Sequence, residues 1–241
     1  MYLKSGFCFA LAALLCCTAV NADVFTGNGN DGFGGALGNG SLEIVDNCDE
    51  TLTFCLNLST ALSGNNSVII YLDTQPGGFT STANFTDTGD PIRRGISNYD
   101  GNNPRTTIDF APGFEPDFAI GADAGFQGLW GLASNPASHN FVSGNGGGGT
   151  KYTFTATFAD LGISQGDSIQ FGVTHTSDSG FLSNETISGP GSTGFDPDAN
   201  PGFGSQVTLD SLTFNTKPVP EPSTAILLAC VSFAALVRRR S

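Results

Sequence analysis

Basic residues are scarce. Nine Lys and Arg stand against 22 Asp and Glu in 241 residues. The shortage is sharper over 23–217, where only Arg93, Arg94, Arg105, Lys151 and Lys217 face 21 acids, a formal charge of −16. That balance excludes nucleic acid as a partner, because phosphate binding needs clustered cations. Acidity combined with abundant Gly, Asn, Ser and Thr instead fits a soluble envelope protein that stays dispersed and attracts divalent cations. Histidine is nearly absent too. His139 and His175 are the only two, and no G-x-S-x-G elbow accompanies them, so nothing points to a Ser/His/Asp hydrolase. Paired carboxylates for glycoside cleavage have no preferred members among 21 acids, and no catalytic residue or organic cofactor is assigned.

Cysteine is sparse where it matters. Cys8, Cys16, Cys17 and Cys230 lie in the hydrophobic ends, leaving Cys48 and Cys55 between them. Two thiols outside the cytoplasm suggest one disulfide. A tight hairpin of 41–47 with 51–58 argues the other way, since Cys55 then lies opposite Glu43, too far from Cys48 for a bridge. Zinc through this pair is disfavoured, as neither histidine has ligand-like spacing to it.

What the chain does have is two unusual ends. Lys4, an apolar run from Phe7 to Val20, and small residues at the −3 and −1 positions of Val20-Asn21-Ala22 predict a signal peptide over 1–22, cut after Ala22 by signal peptidase once the translocon has taken the chain. At the other end, 218–241 holds Val219-Pro220-Glu221-Pro222, then thirteen residues from Ala225 to Val237 with Ser232 as the one polar member, then Arg238, Arg239 and Arg240. A helix over 225–237 spans about 20 Å at 1.5 Å per residue. That is short of a hydrocarbon core of about 30 Å, so a lasting anchor is not expected. The prolines stop the helix on one side and the arginines favour the cytoplasmic side.

Between the ends, 23–217 reads as one extracytoplasmic domain. Helical periodicity is hard to find. Leu52, Phe54, Leu56 and Leu58 alternate with polar neighbours, as do Tyr152, Phe154, Ala156 and Phe158, and Ile169, Phe171 and Val173. Each reads as a strand with one buried face. Val68-Ile69-Ile70-Tyr71-Leu72 is apolar without a break, as expected of a central strand covered on both sides. Further strands are expected at 41–47, 106–110, 117–121, 127–133 and 206–215, the last with a bulge near Asp210-Ser211 where the apolar phase shifts. The fold class is therefore all-β, an antiparallel two-sheet jelly-roll-like sandwich. Segment 25–40 is expected to be irregular, and 75–105, 143–150 and 178–205 to be long loops.

Within the last loop, Asp196, Asp198 and Asn200 stand at alternate positions and form the candidate Ca²⁺ site. The sixth-position Gly and a downstream acid are missing. Trp130 is read first as core and second as a sugar-stacking ring. Arg93, Arg94 and Arg105 are expected to pair with the protein's own carboxylates, with an anionic polysaccharide as the second reading.

Val219-Pro220-Glu221-Pro222, the apolar stretch and Arg238–Arg240 together resemble the PEP-CTERM sorting signal of bacterial envelope proteins. The resemblance implies recognition and removal of the tail by exosortase, an integral-membrane transpeptidase-like enzyme of bacteria that also make exopolysaccharide. It further implies tethering in the inner membrane before processing, then residence at the cell surface or in the extracellular matrix. Residues 160–176 and 68–74 resemble, more loosely, extracellular β-sandwiches of the DOMON and carbohydrate-binding type. The expected role is that of a non-enzymatic structural or glycan-associated surface protein. A secreted glycan-active enzyme or carbohydrate-binding module is the alternative.

Overall fold

The computed structural model describes residues 21–132 and 136–217. Thirteen strands dominate it: β1 Asn21–Thr26, β2 Ser41–Asp46, β3 Thr51–Asn57, β4 Asn66–Asp73, β5 Thr107–Phe110, β6 Phe118–Ala122, β7 Phe126–Gly131, β8 Asn140–Gly146, β9 Lys151–Thr157, β10 Ser168–Ser177, β11 Leu182–Ile187, β12 Gln206–Leu209 and β13 Leu212–Asn215. The first sheet has the order β1-β2-β3-β9, and the second the order β11-β10-β4-β6-β7-β8. All pairs within these two sheets are antiparallel. On the outer side of β10 the ladder is shared, with β13 along Ser168–Phe171 and β11 along Val173–Thr176.

The alternation explains the packing. Leu42 and Ile44 of β2, Leu52, Phe54 and Leu56 of β3, and Tyr152, Phe154 and Ala156 of β9 meet Val68, Ile70 and Leu72 of β4 and Ile169, Phe171 and Val173 of β10 in one core between the sheets. Ile69 and Tyr71 of β4 point the other way, into a second core with Phe85, Ile92, Ile96, Ile108, Trp130, Val207 and Leu209. The unbroken apolar run of β4 is thus covered on both sides, as its sequence predicts. The second core adds a third layer that the sandwich reading lacked. It consists of helix α1 (Pro91–Ser97) and the parallel pair β5/β12.

Helix α1 lies inside the expected 75–105 loop. Asp90 caps it by accepting from the Arg93 N–H at 2.9 Å, Pro91 occupies the first turn, and Asn98 ends it in the left-handed region. Ile92 and Ile96, one turn apart, face inward. Their approach requires Gly121 on β6, where a Cβ would stand 2.2 Å from Ile92 Cγ2. A second short helix, α2 (Phe158–Leu161), is closed by a capping box between Thr157 and Asp160.

Four sequence expectations are corrected. The bulged strand over 206–215 is two strands in different sheets: β12 pairs with β5 and β13 with β10, so the parity change at Asp210-Ser211 marks a crossing between layers. The loops at 143–150 and 178–205 contain part of β8 and all of β11. Segment 25–40 begins within β1 and is irregular only beyond Thr26. The proposed bridge between Cys48 and Cys55 is not formed. Cys55 is a free thiol paired in register with Glu43, and alternation carries its side chain away from the turn that holds Cys48. No helix among the described residues is long and apolar enough to cross a membrane, and 225–237 lies outside them.

Candidate functional site

Three polar assemblies stand out. The first contains a serine and a histidine. Ser97 Oγ lies 3.3 Å from His139 Nε2, a nucleophile–base spacing. The surroundings turn it to a structural use. Ser97 donates to the Asp87 carbonyl at 2.8 Å, and the Asp87 carboxylate accepts from the His139 backbone N–H at 2.7 Å. His139 Nδ1 itself has no hydrogen-bond partner among the described residues. Both side chains are buried, with Phe85 edge-on to the imidazole at 5.0 Å. Burial pushes the His139 pKa down to about 4, the nearby Asp87 charge opposing. The assembly ties α1 to the chain before β8.

The second is centred on Glu185 of β11, fully buried. One carboxylate oxygen accepts from the Phe33 and Gly35 N–H groups, the other from Leu37 and Gly38 and from His175 Nδ1 at 3.1 Å. Burial alone would raise its pKa. The bond and charge of His175, with the backbone donors, overcome that and hold the carboxyl down to about 2. This carboxylate organises the Gly-rich loop after β1, and the Phe33 ring sits edge-on over His175 at 4.9 Å. Neither residue was singled out from the sequence for this role.

Two of the candidate Ca²⁺ residues, Asn200 through its side chain and Asp196 through its carbonyl, belong to the same clasp. Asn200 Oδ1 accepts from the Asn184 N–H at 2.9 Å, and its Nδ2 donates to the Gly32 carbonyl. Asn184 Nδ2 in turn donates to the carbonyls of Asp196 and Pro197. Asp196 and Asp198 are exposed. The 196–200 turn is thus fastened to β11 by hydrogen bonds, and the side-chain oxygen of Asn200 is committed to the Asn184 N–H. Among the described residues, no group of three His, Cys, Asp or Glu side chains is placed to hold a metal.

The third assembly faces solvent. β8 and β9 end their respective sheets, and the chain passes between them through residues 146–150. An open groove of about 610 Å³ runs there, lined by Gln127, Asn145, Gly146, Gly147, Gly148, Lys151 and Thr153. Gln127 and Asn145 are register partners on β7 and β8, and Gln127 Nε2 reaches the Thr153 carbonyl across the sandwich at 2.8 Å. Gly147 is required, since a Cβ there would stand 2.8 Å from the Tyr152 ring. Amides, a hydroxyl and one ammonium, with no carboxylate in the lining, form a hydrogen-bonding surface on a strongly acidic body. On the other face of β7 and β8, Phe126, Trp130 and Phe141 cluster at 5.6–6.3 Å between ring centres. Trp130 is core, as first expected, while Phe141 is 53% exposed.

The arginines are engaged within the body. Arg93 pairs with Asp90 at 2.6 Å and Asp87 at 3.5 Å, and Arg94 with Asp178 at 3.6 Å. Arg105 donates to the Thr82 and Ser97 carbonyls and lies over the Tyr99 ring.

At one pole of the sandwich the two ends of the described chain meet. Asn21 Nδ2 donates to the Asn215 carbonyl at 2.9 Å. Buried Asp46 accepts from the Lys217 N–H at 2.9 Å and from Gln165 Nε2 at 3.2 Å, and Gln165 also holds the Lys217 carbonyl at 2.6 Å. Thr216 is fixed to Asp167 and Gly166. Val219–Pro222 and Arg238–Arg240 lie outside the described residues, as does the N-terminal run before Asn21.

Residues 218–241 match the PEP-CTERM protein-sorting motif. No curated protein and no solved structure matches the chain, so the looser DOMON-type resemblance gains no support. The chain carries a PEP-CTERM sorting motif and is an exported, surface-directed protein handled by an exosortase-type enzyme.

Proposed function

We propose that this is a non-enzymatic envelope or matrix protein. Its leader is cut after Ala22, its tail tethers it in the inner membrane until processing, and its domain then lies among exopolysaccharide. A cut after Ala22 leaves Asp23–Thr26 of β1 still paired with Ser41–Ile44. The observation that carries the glycan-associated part is the groove between β8 and β9. Its lining of Gln127, Asn145, Lys151 and Thr153 suits hydroxyl-rich chains, and Lys151 brings a cation where a uronate would need one. The enzymatic alternative draws on the Ser97–His139 contact, and burial of both side chains speaks against it.

The test is retention of the purified 23–217 domain on immobilised neutral and uronate-containing polysaccharides. Binding without turnover, weakened by Asn145→Ala with Lys151→Ala while the melting temperature holds, supports the reading. New reducing ends would overturn it in favour of an enzyme, and no retention on any polymer would remove the glycan association.

A further inference from the structure

The sorting motif begins almost on the folded body. Thr216 and Lys217 are clamped through Asp46, Gln165, Gly166 and Asp167, and only Pro218 separates Lys217 from Val219. An extended chain covers at most about 3.3–3.6 Å per residue, so Val219 lies within about 7 Å of Lys217 and Ala225 within about 28 Å. The N-terminal strand leaves from the same pole, through Asn21 on Asn215. Asn21 and Lys217, the last described residues before the two segments directed to the membrane, therefore share one pole of the sandwich.

From this we infer that the pole regulates its own processing: the clamp keeps Lys217, two positions before the motif, bonded to the body, and the processing enzyme engages the motif when the clamp opens. This rests on the reading of the tail as a processed sorting signal. An enzyme that takes a substrate in extended form needs several residues free of other partners, and both backbone polar groups of Lys217 are already bonded, the N–H to Asp46 and the C=O to Gln165. The chain on the domain side of the motif is thus unavailable while the clamp is closed. Opening it breaks a few hydrogen bonds at the edge of the folded body, a local event far smaller than unfolding the sandwich.

The experiment is pulse–chase of the full-length chain in cells that hold the processing enzyme, reading tail loss by intact mass. Three variants are compared with the parent: six Gly/Ser residues inserted between Lys217 and Pro218, Gln165→Ala, and both together. Gln165 lies at the surface rim of the clamp, so its loss leaves the cores intact. Gln165→Ala is expected to speed tail loss about fivefold, the change in opening equilibrium that one lost hydrogen bond gives. The insertion is expected to speed it at least as much and to make the Gln165 substitution silent. Tail loss unchanged or slowed by the insertion would overturn the inference, slowing being the sign that the enzyme uses the body as a docking surface. If no variant, the parent included, ever loses the tail, it is the processing reading that fails, and the clamp inference with it.

Discussion

Replacing Glu185 by Gln tests whether one buried carboxylate holds the loop after β1 in place. The two oxygens accept from four backbone N–H groups, Phe33 and Gly35 on one side and Leu37 and Gly38 on the other. A glutamine keeps one acceptor and presents an NH₂ in place of the other. Whichever way the amide turns, two backbone donors face a donor. At about 1.5–3 kcal/mol for each hydrogen bond to a charged group, the two lost bonds amount to about 4 kcal/mol. With an m-value of about 2.5 kcal/mol/M, the urea midpoint of the 23–217 domain falls by about 1.6 M. Acid provides an independent reading. The Glu185 carboxyl is held at about 2 in the fold against an ordinary 4.5, so its contribution is present above pH 4.5 and is lost as pH falls toward 2. A depression of that size is worth about 3 kcal/mol. Glu185→Gln should remove that part of the acid sensitivity. A midpoint within 0.3 M of the parent (about 0.75 kcal/mol on the same m-value), or an unaltered acid limb, would show that the loop is held by other contacts.

Asp117 carries the opposite sign. Burial raises its pKa to about 6, with the Thr74 hydrogen bonds opposing and the Asp73 charge adding. A raised acid favours the fold below its unfolded pKa, and that stability is lost as pH rises through about 6. Asp117→Asn, which keeps an acceptor for Thr74, is therefore expected to stabilise the domain at pH 7 by about 1–2 kcal/mol and to leave it unchanged near pH 4; urea titrations at both values check this, and a loss at pH 7 refutes it. Cys55→Ser should change the midpoint by less than about 0.5 kcal/mol, because the thiol is unbridged and half-buried. Thiol titration of the folded domain should lose one reactive group in that variant, and an unchanged count would refute the assignment.

Much of the sandwich is legible in the sequence because solvent enforces a period of two on strands with one wet face. Leu52, Phe54 and Leu56 in β3 and Tyr152, Phe154 and Ala156 in β9 show it, and β4 shows the continuous run of a strand covered on both sides. The misses share a cause. In β11, Ser183, Asn184, Glu185 and Thr186 are polar yet buried: Glu185 and Asn184 Oδ1 accept from N–H groups of a loop some 150 residues away, while Thr186 donates to the Val173 carbonyl and Asn184 Nδ2 to those of Asp196 and Pro197. Composition cannot reveal such long-range satisfaction, and the strand reads as loop. Helix α1 is too short to display a period, although Asp90-Pro91 followed by Ile92 and Ile96 carries its start signal and its buried stripe. The phase break at Asp210-Ser211 was visible, but a bulge and a change of sheet leave the same mark in one dimension. Of the groove, only the 143–150 segment stood out, as a long loop. Gln127, Asn145, Lys151 and Thr153 come together through strand order, which the sequence does not display.

The fastening of residues 33–38 by Glu185 also sets a timetable. A secreted chain that leaves its pore leader-first releases β1, β2 and β3 early, and those neighbours pair without waiting. The backbone donors of the loop between β1 and β2 stay in water until Glu185 emerges about 150 positions later. Closure at such sequence separation is slow, so maturation finishes only after nearly all of the polypeptide has crossed. A prematurely terminated product lacks the anion that those donors need, and it keeps an open, protease-accessible loop that marks it as incomplete.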